Sequence, residues 1–419
     1  MTGFYRIVFV YIILLASLGK TFSQVRGLDL LDEKGEAEVS FEIEQGFIIV
    51  KMWLNGIIPL RMIFDTGAEN TILFDKEITQ ILGIEFERQI PIIGSDLDSV
   101  LIANIARNVR ARLDGCSSVF RDLIVLEDNS LLLNEKLGTE INGILGGSFF
   151  SNLVVRIDYR KNKIYLNHPQ YFKPPSSFES YNLEIVSNKP YIQGDVNISG
   201  EKTNRLSLLL DTGAALPFLI HTNTDSTLQI PERVMVGNVG YGLSGVIYGY
   251  RGKSKKLSLG ELYFNEIVTS FQDLVLSDLD RDIQLIRNGI IGNTLLSRFK
   301  VIIDYTREKL YLKPIKKKYN KDFGFDKSGI TLFAVGPKLK QYYVVAVIKG
   351  SPADRAGVMP GDIITKVGKR KAHRMELQDI TDKFTKKAGK TIKLTLLRGL
   401  DELKVQFVLE EWFNEQEEK

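Results

Sequence analysis

One short motif, Asp-Thr-Gly-Ala, occurs twice in this chain of 419 residues. It stands at Asp65-Thr66-Gly67-Ala68 and again at Asp211-Thr212-Gly213-Ala214, an offset of 211 − 65 = 146 residues. The same offset relates two further pairs of segments, 142–146 with 288–292 and 155–159 with 301–305. Several landmarks at one unbroken offset indicate a duplicated unit. Each copy presents one acidic residue at the same place.

A strand pattern leads into each copy of the motif. The largely apolar runs 47–54 and 57–64 flank Asn55-Gly56, a dipeptide that favours a tight hairpin turn. The hairpin is expected to deliver Asp65 directly after a buried strand, at the start of a turn. In the second copy, the run 191–198, a turn at 199–202 and the run 206–210 lead to Asp211 in the same way.

Two carboxylates presented by equivalent half-domains can meet at the pseudo-two-fold axis between them. Like charges about 3 Å apart cannot both ionise easily, so such a pair holds one proton between its members. The ionised member can take a proton from water while the protonated member hydrogen-bonds a substrate carbonyl oxygen. This chemistry hydrolyses an amide without a covalent intermediate. Gly67 and Gly213 suit a tight turn that carries backbone N–H groups towards the carboxylates.

With these features, residues 38–315 resemble an aspartic protease of the pepsin/retropepsin superfamily. The Asp-Thr-Gly-Ala segments match its active-site loops, and the segments 144–146 and 290–292 match its hydrophobic-hydrophobic-Gly motif. The resemblance implies that Asp65 and Asp211 form the catalytic dyad. It also implies that Thr66 and Thr212 bond across the lobes, with Gly67 and Gly213 supporting the site.

The residues after the glycines depart from the pepsin pattern. Ala68 and Ala214 stand where pepsin-like enzymes usually carry Ser or Thr, and alanine there is similar to the retroviral-type proteases. A hydroxyl group at this place could hydrogen-bond a carboxylate and favour its charged form. Its absence predicts a less acidic dyad, with an activity optimum at mildly acidic to neutral pH.

Single motifs in this chain also have simpler interpretations. An isolated Asp-Thr-Gly is more often a plain turn, and the matched downstream glycines are what favour catalysis here. The segment 240–245, Gly-Tyr-Gly-Leu-Ser-Gly, fits a dinucleotide-binding pattern, which requires a strand before it and a helix after it. Strand-like residues follow instead, so a flap hairpin is expected there, matched by 93–103 in the first copy.

A third segment, about 320–410, carries its own signature. Residues 350–364 resemble the central stretch of bacterial PDZ domains, and Phe323-Gly324-Phe325 falls where that family places its carboxylate-binding loop. Downstream, Leu377, Ile380 and Phe384 fit one face of a helix. The resemblance implies a groove between this helix and the strand after the loop, which takes a peptide by strand addition. Gly324, Phe325 and Leu377 are the predicted peptide-binding residues.

The ends and the composition limit the function classes. Arg6 precedes the apolar run 7–18, which predicts a signal peptide over residues 1–23, with a retained anchor as the alternative. The net charge of +4 becomes +2 without Arg6 and Lys20, so no nucleic-acid partner is expected. Cys116 is the only cysteine, which excludes an intramolecular disulfide. Three scattered histidines form no spaced metal motif, so no cofactor or metal is expected: His168, His221 and His373.

The sequence therefore predicts a mainly β protein, with two homologous aspartic-protease β lobes followed by a PDZ-like α+β domain. The expected divisions are a signal peptide at 1–23, an N-terminal lobe at 24–166, a linker at 167–182, a C-terminal lobe at 183–315 and the PDZ-like domain at 320–410. The expected function is an exported aspartic endopeptidase, periplasmic or extracellular and bacterial by the PDZ resemblance. It would act on polypeptides, with a peptide C-terminus or partner protein at the PDZ-like groove. The competing class is a non-catalytic peptide-binding protein that keeps the fold.

Overall fold

A computed structural model describes residues 28–93, 100–127, 132–200, 202–242, 245–273 and 287–411. The predicted signal peptide lies outside the described residues. The chain is mainly β, as predicted, with 27 strands in three sheets within these ranges. None of the helices in the described part is long and apolar enough to cross a membrane.

The first sequence copy forms ten strands and two short helices within the described ranges. The strands are β1 (Glu36–Glu44), β2 (Phe47–Leu54), β3 (Ile58–Phe64), β4 (Ile72–Leu73), β5 (Phe86–Ile93), β6 (Val100–Leu113), β7 (Val119–Leu126), β8 (Gly143–Leu145), β9 (Val154–Asp158) and β10 (Lys163–Asn167). The helices are α1 (Lys76–Ile81) and α2 (Leu133–Leu137), with 3₁₀ turns at Leu28–Leu30 and Gly147–Phe149.

The second copy forms eleven strands and one short helix within the described ranges. Its strands are β11 (Glu179–Asn182), β12 (Glu184–Val186), β13 (Lys189–Asn197), β14 (Thr203–Asp211), β15 (Phe218–His221), β16 (Met235–Gly242), β17 (Gly245–Leu259), β18 (Leu262–Gln272), β19 (Gly289–Gly292), β20 (Phe299–Asp304) and β21 (Lys309–Pro314). Helix α3 (Asn293–Leu296) follows β19, and a 3₁₀ turn lies at Thr222–Thr224.

The two copies are joined through a shared sheet. Strand β9 of the first copy pairs antiparallel with β20 of the second, so one 13-stranded sheet runs from β11 through the first lobe. The second lobe has its own 8-stranded sheet. The stretch 167–182, predicted as a linker, contains strand β11, whose residues pair antiparallel with β21. A single apolar core runs through both lobes.

The predicted hairpins at Asn55-Gly56 and at 240–245 are both present. Asn55 and Gly56 have φ values of 51° and 73°, the left-handed conformation that a tight hairpin turn requires. Strands β16 and β17 pair antiparallel up to Gly242 and Gly245, so a strand follows where a dinucleotide site needs a helix. Strands β5 and β6 form the matching hairpin of the first lobe, with its tip, 94–99, outside the described residues.

The C-terminal domain is a separate small sheet with its own core. Helix α4 (Lys316–Tyr319) leads into it from β21. The strands are β22 (Ile330–Val335), β23 (Gln341–Val347), β24 (Ile363–Val367), β25 (Arg370–Lys371), β26 (Thr391–Arg398) and β27 (Asp401–Val408); the helices are α5 (Pro352–Arg355) and α6 (Leu377–Phe384), with a 3₁₀ turn at Ala372–Arg374. Strand β22 forms one edge of the sheet. Leu377, Ile380 and Phe384 of α6 are buried on one helix face, as their spacing predicted.

Candidate active site

Each Asp-Thr-Gly-Ala loop leaves the end of a central strand. Strand β3 pairs parallel with β8, and the Asp65 N–H donates to the Leu145 carbonyl oxygen at 3.0 Å. Strand β14 pairs parallel with β19 in the same way, with Asp211 opposite Gly292. A Cβ on Gly292 would lie 2.1 Å from the Leu216 carbonyl oxygen, so only glycine allows the loop to cross this strand. The repeated glycine of the hydrophobic-hydrophobic-Gly motif is therefore a requirement of close backbone approach.

The two threonines bind the loops together across the pseudo-two-fold axis. The Thr66 N–H donates to Thr212 Oγ1 at 3.0 Å, and the Thr212 N–H donates to Thr66 Oγ1 at 3.1 Å. Each hydroxyl in turn donates to a main-chain carbonyl of the opposite lobe, Thr66 to Leu210 at 2.7 Å and Thr212 to Phe64 at 2.8 Å. Both side chains are fully buried. Loss of either hydroxyl would leave buried polar groups without partners, which is why serine or threonine is needed here.

The carboxyl groups of Asp65 and Asp211 lie side by side, close enough for each to influence the pKa of the other. Asp65 Oδ1 accepts from the N–H groups of Gly67 and Ala68, at 2.7 and 3.0 Å, and Asp211 Oδ1 accepts from Gly213 N–H at 2.7 Å. Each glycine also lies against the opposite carboxyl. A Cβ on Gly213 would lie 2.2 Å from Asp65 Cγ, and one on Gly67 would lie 2.4 Å from Asp211 Cγ.

Burial and mutual repulsion determine the titration of this pair. Burial and the neighbouring charge of Asp211 raise the pKa of Asp65 well above its ordinary value. Burial also raises the pKa of Asp211, against the hydrogen bond from Asp65 and the nearby cation of Arg287. Because the two groups interact, they titrate as a pair. The pair therefore keeps a proton at a higher pH than an isolated aspartate does.

Two side chains near the dyad are not among the site residues predicted from the sequence. The Arg287 Nε–H donates to Nε2 of His221 at 3.0 Å, and His221 is buried within the second lobe. Arg287 could have been found from the sequence. The 146-residue offset aligns this cation with the apolar Ile141 of the first copy. An apolar-to-charged difference between equivalent positions is a feature that sequence comparison of the copies can detect.

The predicted carboxylate-binding loop of the PDZ-like domain lies against the second lobe. Phe323 and Phe325 are each only 8% exposed and belong to the core that runs through both lobes, whereas Gly324 is exposed. The Phe323 ring packs against Phe264 at a centroid distance of 5.6 Å, and the Arg298 guanidinium lies 3.4 Å from the Phe323 ring centroid. These contacts attach the loop to the protease lobes.

The predicted groove residue Leu377 lies against the first lobe. It is 2% exposed, and a Cβ on Gly138 would lie 2.7 Å from Leu377 Cβ and 3.6 Å from Ala334 Cβ. Helix α2, which ends just before Gly138, packs on the edge strand β22. The groove between β22 and α6 is therefore covered at this end by segment 133–138 of the protease lobe.

Gly138→Ala is expected to destabilise this contact between the domains. Gly138 has φ +68°, so alanine costs about 1–2 kcal/mol for the left-handed backbone. Displacement of Leu377 adds about 1–3 kcal/mol of overpacking. The matched control is Gly83→Ala, since Gly83 has φ +63° and a methyl group there meets no described atom within 4 Å. Thermal melting and limited proteolysis compare the two. Equal losses of stability in both variants would contradict the contact.

The remaining sequence predictions concern metals and the lone cysteine. Within the described ranges, no three His, Cys, Asp or Glu side chains are grouped so that they could hold a metal ion. Cys116 is half-buried, and burial raises the pKa of its thiol to about 12, so the thiolate form is suppressed at physiological pH.

Comparison with known proteins identifies two domains. Residues 50–149, which contain the first Asp-Thr-Gly-Ala loop, match the aspartyl protease family, and residues 343–398 match the PDZ domain family.

Among curated proteins, a probable CtpA-like serine protease of Staphylococcus haemolyticus is 33% identical over 90 residues, 22% of this chain and 18% of the relative. Proteins of the same name from Staphylococcus saprophyticus and Staphylococcus aureus are 32% and 31% identical over 93 and 100 residues. These matches cover 21% and 23% of this chain, and 19% and 20% of the relatives. The chain thus spans about a fifth of the length of the curated relatives it matches.

Taken with the internal repeat and the paired loops, these matches show that the chain carries an aspartyl protease domain followed by a C-terminal PDZ domain.

Proposed function

We propose that this protein is an exported aspartic endopeptidase, in which Asp65 and Asp211 activate a water molecule for attack on a peptide bond. The observation that carries the proposal is the pair of carboxyl groups, Asp65 buried and Asp211 half-buried, each of which lies against the glycine of the opposite loop. Such a pair retains one proton where isolated carboxylates would have none, and this supplies an acid and a base in one place.

The proposed reaction uses both protonation states of the pair. The ionised carboxylate accepts a proton from water as the oxygen attacks the scissile carbonyl carbon, and the protonated carboxyl donates to the carbonyl oxygen. Return of a proton to the leaving nitrogen then breaks the C–N bond. The N–H groups of Gly67 and Gly213 hold the carboxylates in place throughout. The threonine bonds keep the two loops at a constant separation.

The staphylococcal relatives do not supply the reaction type. They are named as serine proteases, but each match covers at most 20% of the relative. Export is proposed on the Arg6 and 7–18 pattern alone.

For the PDZ domain we propose a role in recruiting a peptide end or a partner protein. Strand β22 forms one edge of its sheet, and its Ala334 lies near Leu377 of α6 at Gly138, an arrangement that suits strand addition. A peptide that reached Leu377 would have to displace segment 133–138 of the first lobe. Recruitment would therefore be coupled to movement of the protease lobe.

Digestion of a peptide library by the wild-type protein, beside Asp65→Asn, tests the proposal. Cleavage products that form with the wild type and not with the variant support a dyad-dependent endopeptidase. Peptide binding without cleavage by either protein would favour the competing class, a peptide-binding protein that keeps the fold.

The pH–rate profile is expected to be bell-shaped, with its optimum at mildly acidic to neutral pH. Hydrolysis needs the dyad with one proton, and burial together with the charge of the partner raises the pKa at which that proton is lost. No hydroxyl group follows the glycines to favour the ionised form, since Ala68 and Ala214 stand there. Initial rates on one peptide across pH measure the profile. A maximum at about pH 2–3, between the two pKa values typical of pepsin, would contradict this expectation.

A further inference from the structure

The two lobes place chemically different residues at equivalent positions beside the dyad. In the first lobe, the Phe74 N–H donates to the Asn142 carbonyl oxygen at 2.9 Å. In the second, the His221 N–H donates to the Asn288 carbonyl oxygen at 2.8 Å. Asn142 and Asn288 are separated by the repeat offset, so His221 is the structural counterpart of Phe74.

Two more pairs follow from the strand registers. Ile141 and Arg287 each precede the repeated asparagine, so Arg287 is the counterpart of Ile141. In each lobe, one residue pairs across the sheet with the residue that lies two positions before the dyad aspartate. It is Ile49 in the first lobe and Tyr191 in the second, so these two are counterparts. We call Ile49, Phe74 and Ile141 the first wall, and Tyr191, His221 and Arg287 the second wall.

The first wall is apolar and belongs to a cluster that reaches the dyad loop and the flap hairpin. Ala68 of the dyad loop packs against this cluster, as do Ile90 and Ile92 of strand β5. The cluster is separate from the core that fills the lobes. The first wall is itself buried, and the partly exposed Ala68, Ile90 and Ile92 that pack on it form an apolar surface between the flap and the dyad.

The second wall carries a positive charge at the same place. Arg287 is half-buried, and its Nε–H donates to His221. A guanidinium has five N–H donors, so its outer edge can still bind a carboxylate with two parallel hydrogen bonds. Burial and the cation of Arg287 lower the pKa of His221 well below its ordinary value. His221 thus stays a neutral acceptor, and Arg287 supplies the charge.

Arg287 lies close to the reacting groups. Burial lowers its pKa, and the charges of Tyr191, Asp211 and Asp65 oppose that change. Asn288 holds the backbone beside it, because its side chain accepts from the Ser207 N–H at 2.9 Å and donates to Thr224 Oγ1 at 3.1 Å. The cation is therefore anchored at the edge of the dyad by a hydrogen-bonded backbone.

We propose that Arg287 is a specificity-determining residue, and that the enzyme cleaves peptides with an apolar residue on one side of the scissile bond and Asp or Glu on the other. The inference rests on the proposed function, because a substrate centred on the dyad places the two flanking side chains in opposite halves of the site. The apolar surface over the first wall accepts the apolar side chain, and Arg287 pairs with the acidic one.

The test uses matched peptides that differ only at one flanking position. One position is Leu or Phe, the other is Glu, Gln, Leu or Lys, and both orders are made. We expect the wild-type kcat/KM for the better order to be about 10- to 100-fold higher for Glu than for Gln, because a hydrogen-bonded charge pair is gained. Arg287→Gln should remove this difference and Arg287→Lys should keep part of it. Arg205→Gln, at a mostly exposed arginine of the same lobe, should leave it unchanged.

Several outcomes would overturn the inference. Equal wild-type rates for Glu and Gln peptides would do so without any variant, even if Arg287→Gln failed to fold. A Glu preference that survives in Arg287→Gln would do so as well. If Arg287→Gln shifts the pH profile but leaves selectivity intact, Arg287 acts on the dyad and not on the substrate. Failure of the wild type to cleave any peptide in a dyad-dependent manner would instead refute the proposed function.

Discussion

Asp65→Asn and Asp211→Asn are each expected to lower peptide hydrolysis by about 10²–10⁴-fold or more, with the fold retained. Asparagine has nearly the same shape as aspartate, and its carbonyl oxygen can still accept from the N–H groups of Gly67 and Ala68. It cannot accept a proton from water or donate one to a carbonyl oxygen. Neither variant can therefore hold a proton between two carboxyl groups, as the mechanism requires. Initial rates on a peptide cleaved by the wild type measure the loss.

The same variants are expected to change the pH dependence of stability. The pKa of Asp65 is raised in the native state, so the native state holds a proton that the unfolded state releases at about pH 3.9. The wild-type dyad therefore contributes most to the stability of the fold at low pH. Its contribution to the free energy of unfolding falls as the pH rises through the native pKa. Asp65→Asn removes this fall, so its stability relative to the wild type should improve as the pH rises above about pH 4.

Asp114→Asn is the matched control, because Asp114 is an exposed aspartate of the same lobe. It should leave both the rate and the pH dependence of thermal melting unchanged. Undiminished cleavage by both dyad variants would refute the assignment of Asp65 and Asp211.

Gly213→Ala is expected to lower kcat/KM by about 10²-fold with the loops still paired. The new methyl group would lie 2.2 Å from Asp65 Cγ, so the Asp65 carboxyl has to move by about 1 Å or more. A displacement of that size at a reacting group costs about 10²-fold in rate. Gly67→Ala should act in the same way through Asp211, because its Cβ would lie 2.4 Å from Asp211 Cγ. Peptide cleavage and circular dichroism separate a displaced dyad from a lost fold.

Gly368→Ala provides the comparison for this effect. Gly368 has φ +60°, and a methyl group there would meet no atom of the described residues within 4 Å. Alanine therefore strains the backbone without touching another side chain. It should cost about 1–2 kcal/mol of stability and leave the rate unchanged. If Gly213→Ala cleaved peptides as fast as Gly368→Ala, the close approach of the two loops would be contradicted.

The lobes and the PDZ domain could be predicted from the sequence because each rests on local patterns. The turn at Asn55-Gly56 has the left-handed backbone that its residue types favour. The burial of Leu377, Ile380 and Phe384 follows their helical spacing. The linker prediction missed strand β11, because the short run 179–182 becomes a strand by pairing with β21, more than a hundred residues later.

The covered end of the PDZ groove could not be predicted in this way. Contact between Gly138 and Leu377 joins residues that are 377 − 138 = 239 positions apart and belong to different domains. Nothing in either local pattern specifies which outer surface packs on the other. Phe323 and Phe325 likewise fit the carboxylate-binding loop of the family, yet their rings pack into the core of the protease lobes.

The sequence by itself identified Asp65 and Asp211 as the candidate dyad, because a repeat at a constant offset places them at equivalent positions whatever the detailed packing. It also determined the residue types around them, the threonines and glycines of both loops. Only the tertiary structure decided that the pKa values of both carboxyl groups are raised, since these depend on burial and on the neighbouring charges. It also decided that the cation of Arg287 lies near enough to the dyad to affect its titration.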